Sequence, residues 1–357
     1  MRTAPMIASA VEVRAYDRRD MRSRWGHWEA FVARRAPIPL SYHPAWLEVL
    51  ALGLGHAPHC LEAADGGEVR GLLPLAFVRS LLFGRALVGL PYLNYGGVMA
   101  DDEEVARLLI DRAVGLAGRL GARRLEIRHE RAVEHPDLRR HPGHKVNVTR
   151  SLPATAGELW DGLGSGVRNQ VRKGRKGGLT VAWGGEELLP EFHAVFSRNM
   201  RDLGTPSYGP GLFRAIVRQF PDRAEFCVVR EGKAPAAAAL LVHGWGVTEV
   251  PSASSLRRFN PTCANMLMYW SLLERAIGRG QATFDFGRST AGGSVLKFKE
   301  QWGGRPAPAE WRVHAPSGEV AGARPDDPRY GRMIRLWKCL PLAVSRRLGP
   351  LIVRGIP

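Results

Sequence analysis

Residues 265–286, NMLMYWSLLERAIGRGQATFDF, decide the fold. Met266, Tyr269, Trp270, Leu273 and Ile277 recur at the spacing of one helical face, which predicts an amphipathic helix over 265–279. Gly278 and Gly280 stop it. Residues 282–286 then alternate, with Phe284 and Phe286 on one side and Asp285 on the other, as in a half-buried strand. The unit is a long helix, a glycine and a short strand. It occurs once before: Asp101 or Asp102 caps a helix over 103–120, Gly121 stops it, and Arg124-Leu125-Glu126-Ile127-Arg128 follows as a strand.

Working outward, the elements before each unit also match. In the first half 21–31 and 44–52 read as helices, and 59–64 and 68–78 as strands about an Asp65-Gly66-Gly67 turn. More extended chain runs to the Gly96-Gly97 turn. In the second half 187–203 and 211–220 read as helices, 225–230 and 235–242 as a hairpin about Glu231-Gly232-Lys233, and 247–254 as a further strand. This predicts an internal duplication, each half a mixed α/β sheet flanked by helices. The boundary falls in the polar stretch 141–155, giving domains 1–150 and 151–315 and a basic amphipathic tail over 316–357.

Composition agrees. A chain of 357 residues suits two domains, and 45% apolar with 24% charged residues is a globular balance. No run of about 20 apolar residues occurs, so no spanning helix is expected. The alanine-rich N-terminus meets Glu12 and Arg14 too early for a signal peptide. Cys60, Cys227, Cys263 and Cys339 form no metal-binding or disulfide spacing, which fits a reducing cytoplasm and no metal site. The net charge of +17 favours a polyanionic partner: nucleic acid, a phosphate-bearing donor or an anionic membrane.

Five segments carry candidate chemistry. Arg257, Arg258, Asn260, Thr262 and Asn265 lie at the N-terminus of the 265–279 helix, where unpaired N–H groups and the helix dipole favour phosphate; the alternative is a plain loop with Thr262 as cap. Asp285 is placed to orient or deprotonate a nucleophile, or else to pair with Arg288. After the glycine turn at 292–293 come Lys297 and Lys299, which share a face on a strand and diverge by about 200° on a helix; a lysine near a reacting carbonyl stabilises an oxyanion. Arg168, Arg172, Arg175 and Lys176 share one helical face, which either binds an anionic ligand or is simply solvated. Residues 336–354 mix apolar residues with cations around Pro341, Gly349 and Pro350, and either lie in a membrane interface or pack on the body. His193 and His243 are read as structural. No phosphate-loop, HExxH or GxSxG pattern is present.

The ordered set Phe284-Asp285-Phe286-Gly287-Arg288-Ser289 and Phe298-Lys299-Glu300-Gln301-Trp302-Gly303 resembles the FemAB-related proteins, and more closely their subgroup associated with exosortase and exopolysaccharide loci. His43-Pro44-Ala45-Trp46, Gly71-Leu72-Leu73-Pro74-Leu75, Asn94-Tyr95-Gly96-Gly97, the 168–176 run, Leu203-Gly204-Thr205-Pro206, Met268-Tyr269-Trp270, Leu340-Pro341-Leu342 and Leu348-Gly349-Pro350 extend the resemblance over nearly the whole chain. It implies tandem GNAT-like domains, each with a mixed, mostly antiparallel sheet, and transfer of an acyl or aminoacyl group to a cell-envelope or exopolysaccharide precursor in the cytoplasm. In Fem ligases the donor is aminoacyl-tRNA, and the lysine of the Phe-Lys pair is assigned to the tetrahedral intermediate. Lys299 matches that lysine. The chain has no long heptad segment, and its 257–265 turn is not glycine-rich, so acyl-CoA and aminoacyl-tRNA both stand as donors, with no tightly bound cofactor. Two alternatives remain: a non-catalytic nucleic-acid-binding protein and a membrane-surface scaffold that uses the tail.

Overall fold

The two helix–glycine–strand units sit at the centres of two different sheets. The computed structural model describes residues 11–80, 83–129, 133–141, 145–316 and 331–356. The first sheet begins with β1 (Glu12–Tyr16). Helices α1 (Trp25–Ala33) and α2 (Trp46–Leu54) precede β2 (Ala57–Asp65) and β3 (Glu68–Ser80). These two strands turn at Gly66 and Gly67, whose φ values of 56° and 93° need glycine. Then come β4 (Gly84–Val88), β5 (Met99–Ala100), α3 (Glu103–Arg119), β6 (Arg124–His129) and β7 (Arg139–Arg140). Asp102 is the α3 cap: its carboxylate accepts the Val105 N–H at 2.8 Å, while Asp101 pairs with Arg35 and Arg70.

The second sheet opens with β8 (Lys145–Ser151). After it come α4 (Ala156–Asp161), α5 (Ser165–Lys176), β9 (Leu179–Gly184), α6 (Leu189–Leu203) and α7 (Pro210–Gln219). The sheet continues through β10 (Ala224–Glu231), β11 (Ala234–His243) and β12 (Val247–Ser255). The central unit is α8 (Ala264–Gly278) and β13 (Thr283–Thr290), followed by α9 (Ser294–Glu300), β14 (Arg305–Pro308) and β15 (Glu310–His314). The strand order is β14-β8-β13-β12-β11-β10-β9. β15 leaves this sheet and pairs between β6 and β7 in the first.

The sheets therefore do not divide at residues 150 and 315. The stretch expected as a polar linker holds β8, of which only Asn147 and Val148 are fully buried, so its composition resembles a loop. Residues 142–144 of that stretch, like 317–330 of the tail, lie outside the described residues.

Packing joins the halves. One apolar core runs from Trp28 and Trp46 in the first half to Phe192, Phe226 and Trp302 in the second; each such buried side chain contributes about 1.5–3 kcal/mol. α2 lies against α7, and Gly53 permits the approach, since a Cβ there would come within 2.8 Å of Leu212 Cα. The tail forms α10 (Gly331–Cys339) and α11 (Leu342–Val353), docked on α6 through Arg201 to Leu340 O and Arg346 to Ser197 Oγ, both at 2.8 Å. α11 runs through Gly349 and Pro350, the expected break. Gly349 is needed there because a Cβ would lie 2.8 Å from Ser207 O.

In the first sheet β4 and β6 run parallel for three pairs, ending at Val88↔Glu126, and then part. Residues 89–96 fill the gap. Gly89 N–H donates to Glu126 O at 2.8 Å and Gly96 N–H to Arg128 O at 3.0 Å. The Arg128 guanidinium donates to Leu93 O and to the Glu126 carboxylate. A Cβ on Gly89 would lie 1.9 Å from Gly96 O, so the plug is closed at backbone contact.

In the second half Glu225 on β10 accepts from Arg275 of α8 and from Arg279 just past its end at 2.7 and 2.9 Å, and lies 3.0 Å from the His243 ring on β11. Burial opposes its charge, but these partners hold its carboxyl well below the usual 4.5. Glu225→Gln is expected to cost about 3 kcal/mol at neutral pH by leaving the two guanidiniums uncompensated. A depressed carboxyl stabilises above its unfolded pKa, so in thermal melts the gap to wild type should narrow as pH falls below about 4.5. A gap independent of pH contradicts the ion-pair account.

Candidate active site

β12 and β13 pair in parallel for three residues, Val247↔Thr283, Thr248↔Phe284 and Glu249↔Asp285. Beyond that point β12 stays bonded to β11 and β13 to β8, but not to each other. A wedge opens between residues 250–255 and 286–290, where the two strand edges do not pair with each other. The cause lies in β13. Its register against β8 slips between Asp285 and Arg288, a bulge in which Gly287 takes φ 74°. A side chain at 287 would be strained and would meet Asn94 Nδ2 at 3.2 Å.

Glu249 and Asp285 are cross-strand neighbours at the crotch of the wedge, 2% and 0% exposed. Ser41 holds Glu249 with its N–H at 2.8 Å and with its hydroxyl. Burial, and then the charge of Asp285, push the Glu249 carboxyl up to about 8. Two adjacent buried carboxyls do not both ionise readily. Near neutral pH the protonated form of Glu249 is therefore favoured. Gly287 N–H donates to Asp285 Oδ1 at 2.6 Å, and the Tyr95 phenol, raised by burial and then by Asp285, faces the same carboxylate. Asn94 and Tyr95 come from the plug of the first half, so the first half forms one wall of the second half's site.

Lys299 is 4% exposed, and its ammonium donates to Gly287 O at 2.9 Å and Arg288 O at 2.8 Å. The bulge turns both carbonyls toward it. Burial lowers its pKa to about 8 against the pull of Asp285. With two of three N–H donors used on the backbone, one is left for another oxygen.

The other expected residues divide. Lys297 is exposed: 294–300 is a helix, so Lys297 and Lys299 point apart. Arg288 is half-buried and lies over Trp311 at 4.2 Å, with Arg128 over the same ring at 4.1 Å; burial, then Arg128, lower its pKa to about 9. It therefore serves the contact between halves.

Arg257, Arg258 and Asn260 are exposed on a short 3-10 turn that leaves the open end of β12 and leads into α8, with Asn265 half-buried in its first turn. Thr262 does not cap α8. Its hydroxyl donates to Phe259 O at 2.8 Å, and the N-terminus of α8 has no side-chain cap. Arg172 and Arg175 lie over Trp160 at 5.3 and 5.7 Å, and Arg175 also over Trp270, so this face helps hold α5 to α4 and α8. Arg168 is half-buried on the same face and Lys176 is exposed. Sequence reasoning missed Glu249, Ser41 and Tyr95; a carboxylate in the interior of a strand, between Thr248 and Val250, was the available signal for the first. Elsewhere Asp111, His135 and Asp137 bring one possible ligand atom each within 4.8 Å. Both ring nitrogens of that histidine already face protein partners, Asp111 and the Asp137 N–H.

Residues 165–300, from α5 through α9, match the acetyltransferase (GNAT) domain family. No curated protein sequence matches the chain. Among solved structures, FemX is similar with a TM-score of 0.64 at 15% identity, over 81% of this chain and 95% of that one. The C-terminal domain of a putative lysylphosphatidylglycerol synthetase from Agrobacterium fabrum gives 0.56 at 14%, over 84% and 94%. A tandem GNAT protein from the clavulanic acid biosynthesis pathway gives 0.54 at 12%, over 88% and 100%. The chain thus has the fold of two GNAT-like domains in tandem. The exosortase-associated subgroup is not singled out by these likenesses.

Glu249→Gln tests the shared proton. A carboxyl raised above its unfolded value stabilises below that value, and the stability is lost as pH rises toward about 8. The variant should lose this slope and gain on wild type in melting temperature between about pH 5 and 8. Parallel pH profiles for the two proteins contradict the assignment.

Proposed function

We propose that the second half is an acyltransferase whose donor lies in the β12–β13 wedge. The observation that carries this is the wedge itself: two strand edges that part from each other at a buried carboxyl pair and open at the uncapped N-terminus of α8. A donor with an extended amide-bearing arm and phosphates fits both ends. Its amides would bond the strand edges where they part, and its phosphates would meet the α8 N–H groups and Arg257 and Arg258. Coenzyme A thioesters have this form.

In the reaction an amine or hydroxyl of the acceptor attacks the acyl carbon, and the bond from that carbon to sulfur breaks, its electron pair leaving with coenzyme A as the thiolate. The Asp285 carboxylate takes the proton of the nucleophile or orients it. The free N–H of Lys299 faces the charge that develops on the carbonyl oxygen, where a fixed cation in a dry site acts mainly on the transition state. Glu249, its carboxyl raised by burial, adds no full second charge beside Asp285. The acceptor, on this reading, is a cell-envelope or polysaccharide precursor, entering beside Tyr95 and Asn94. The likeness to FemX and to a lysylphosphatidylglycerol synthetase domain supports that class.

A calorimetric titration with coenzyme A and acetyl-CoA should show saturable binding, weakened about tenfold in Arg257→Ala by loss of one charged hydrogen bond. Absence of binding removes coenzyme A and makes aminoacyl-tRNA the donor to test. Lys299→Ala should lower turnover by about 100-fold or more with donor affinity little changed. Full turnover in that variant contradicts the assigned role.

A further inference from the structure

Five of the eight large apolar side chains that stand exposed among the described residues lie on α10 and α11. Met333 and Leu336 are 63% and 69% exposed and follow each other at i,i+3; Val344, Leu348 and Leu351 follow at i,i+4 and i,i+7. The opposite faces are the docked ones: Ile334 packs at Gly204, and Ser345, Gly349 and Val353 are buried. α11 therefore buries one stripe and α10 half-buries one, and each presents a second apolar stripe to solvent. Beside these stripes stand the exposed Arg332 and Arg335 on α10, and Arg347 and Arg354 on α11 or at its end. From residue 331 to 357 the sequence has no aspartate or glutamate.

We propose that the outward face of α10 and α11 is a binding surface for an anionic phospholipid bilayer. The charge decides the occupant. An apolar patch alone would suit a second protein, but a stripe flanked by arginines that form no ion pair among the described residues matches acyl chains beneath negatively charged headgroups. No helix among the described residues is long and apolar enough to cross a membrane, so the contact is peripheral.

The surface is also tied to the wedge. Arg354 O accepts the Tyr92 hydroxyl at 2.5 Å, and Tyr92 belongs to the same plug that carries Asn94 and Tyr95 to Asp285. On the acyltransferase reading, this places the acceptor side of the site beside the lipid surface. The bilayer contact itself does not rest on that reading, because it is measured without donor or acceptor.

The test is sedimentation of the whole protein with vesicles of phosphatidylcholine plus phosphatidylglycerol, and with vesicles of phosphatidylcholine alone. Wild type is expected to sediment with the first and not the second. Leu348→Glu with Leu351→Glu should reduce binding at least about tenfold, since each puts a carboxylate where a methyl-rich side chain enters lipid. Arg347→Gln with Arg354→Gln should weaken it by about fivefold per arginine, from roughly 1 kcal/mol per basic residue at an anionic surface. All four positions are exposed, so unchanged melting temperatures should accompany these losses. Wild type that stays in the supernatant overturns the proposal, as does equal binding by the glutamate variant or indifference to phosphatidylglycerol. A concentration-dependent dimer that the glutamate substitutions dissolve, without vesicle binding, assigns the face to self-association instead.

Discussion

Parallel pairing between β12 and β13 ends after three residues, and the position of that ending governs the rest of the second half. A parallel pair that continued would bury its hydrogen-bonding edges and leave no wedge. The Gly287 bulge prevents this: it shifts the register of β13 and turns two carbonyls toward the Lys299 ammonium. The lysine and the bulge hold each other. Asp285 closes the same loop from within, accepting the Gly287 N–H. A buried cation, a buried carboxylate and a left-handed glycine are each costly alone. Together they satisfy one another and stand where the strands part.

The first half repeats the geometry and uses it differently. There the parallel pair also runs for three residues, and Glu126 occupies the place that Asp285 has in β13. Its carboxylate is bound by Arg128 and its wedge is filled by residues 89–96. The same loop supplies Asn94 and Tyr95 to the open wedge. Duplication thus yields one open site and one closed support, and β15, crossing back from the second sheet to pair with β6, locks the two together.

Much of this was legible because it is local. Helical and strand periods are properties of neighbouring residues, so the repeated unit, the Asp65-Gly66-Gly67 turn and the α3 cap follow from the sequence. Asp285 and Lys299 were also accessible, the first from alternation and the second from resemblance. The rest depends on contacts across the chain. Glu249 becomes a proton-bearing group only because the fold buries it beside Asp285, against the opposing hydrogen bonds of Ser41, 208 residues away. The spacing of Arg172 and Arg175 shows which face they share, but not that Trp160 and Trp270 lie under it, and nothing local to Arg288 shows that it lies over Trp311. β8 was hidden because it is polar enough to resemble a linker, and the return of β15 because sheet membership is not written in any one strand.

Amide hydrogen exchange with and without saturating coenzyme A tests most directly whether the wedge is a donor site. The account predicts slowed exchange concentrated at residues 250–255 and 286–290 and in the first turn of α8, with the closed wedge at 89–96 unchanged. Protection that appears elsewhere, or none in these strands when the ligand is bound, would contradict it.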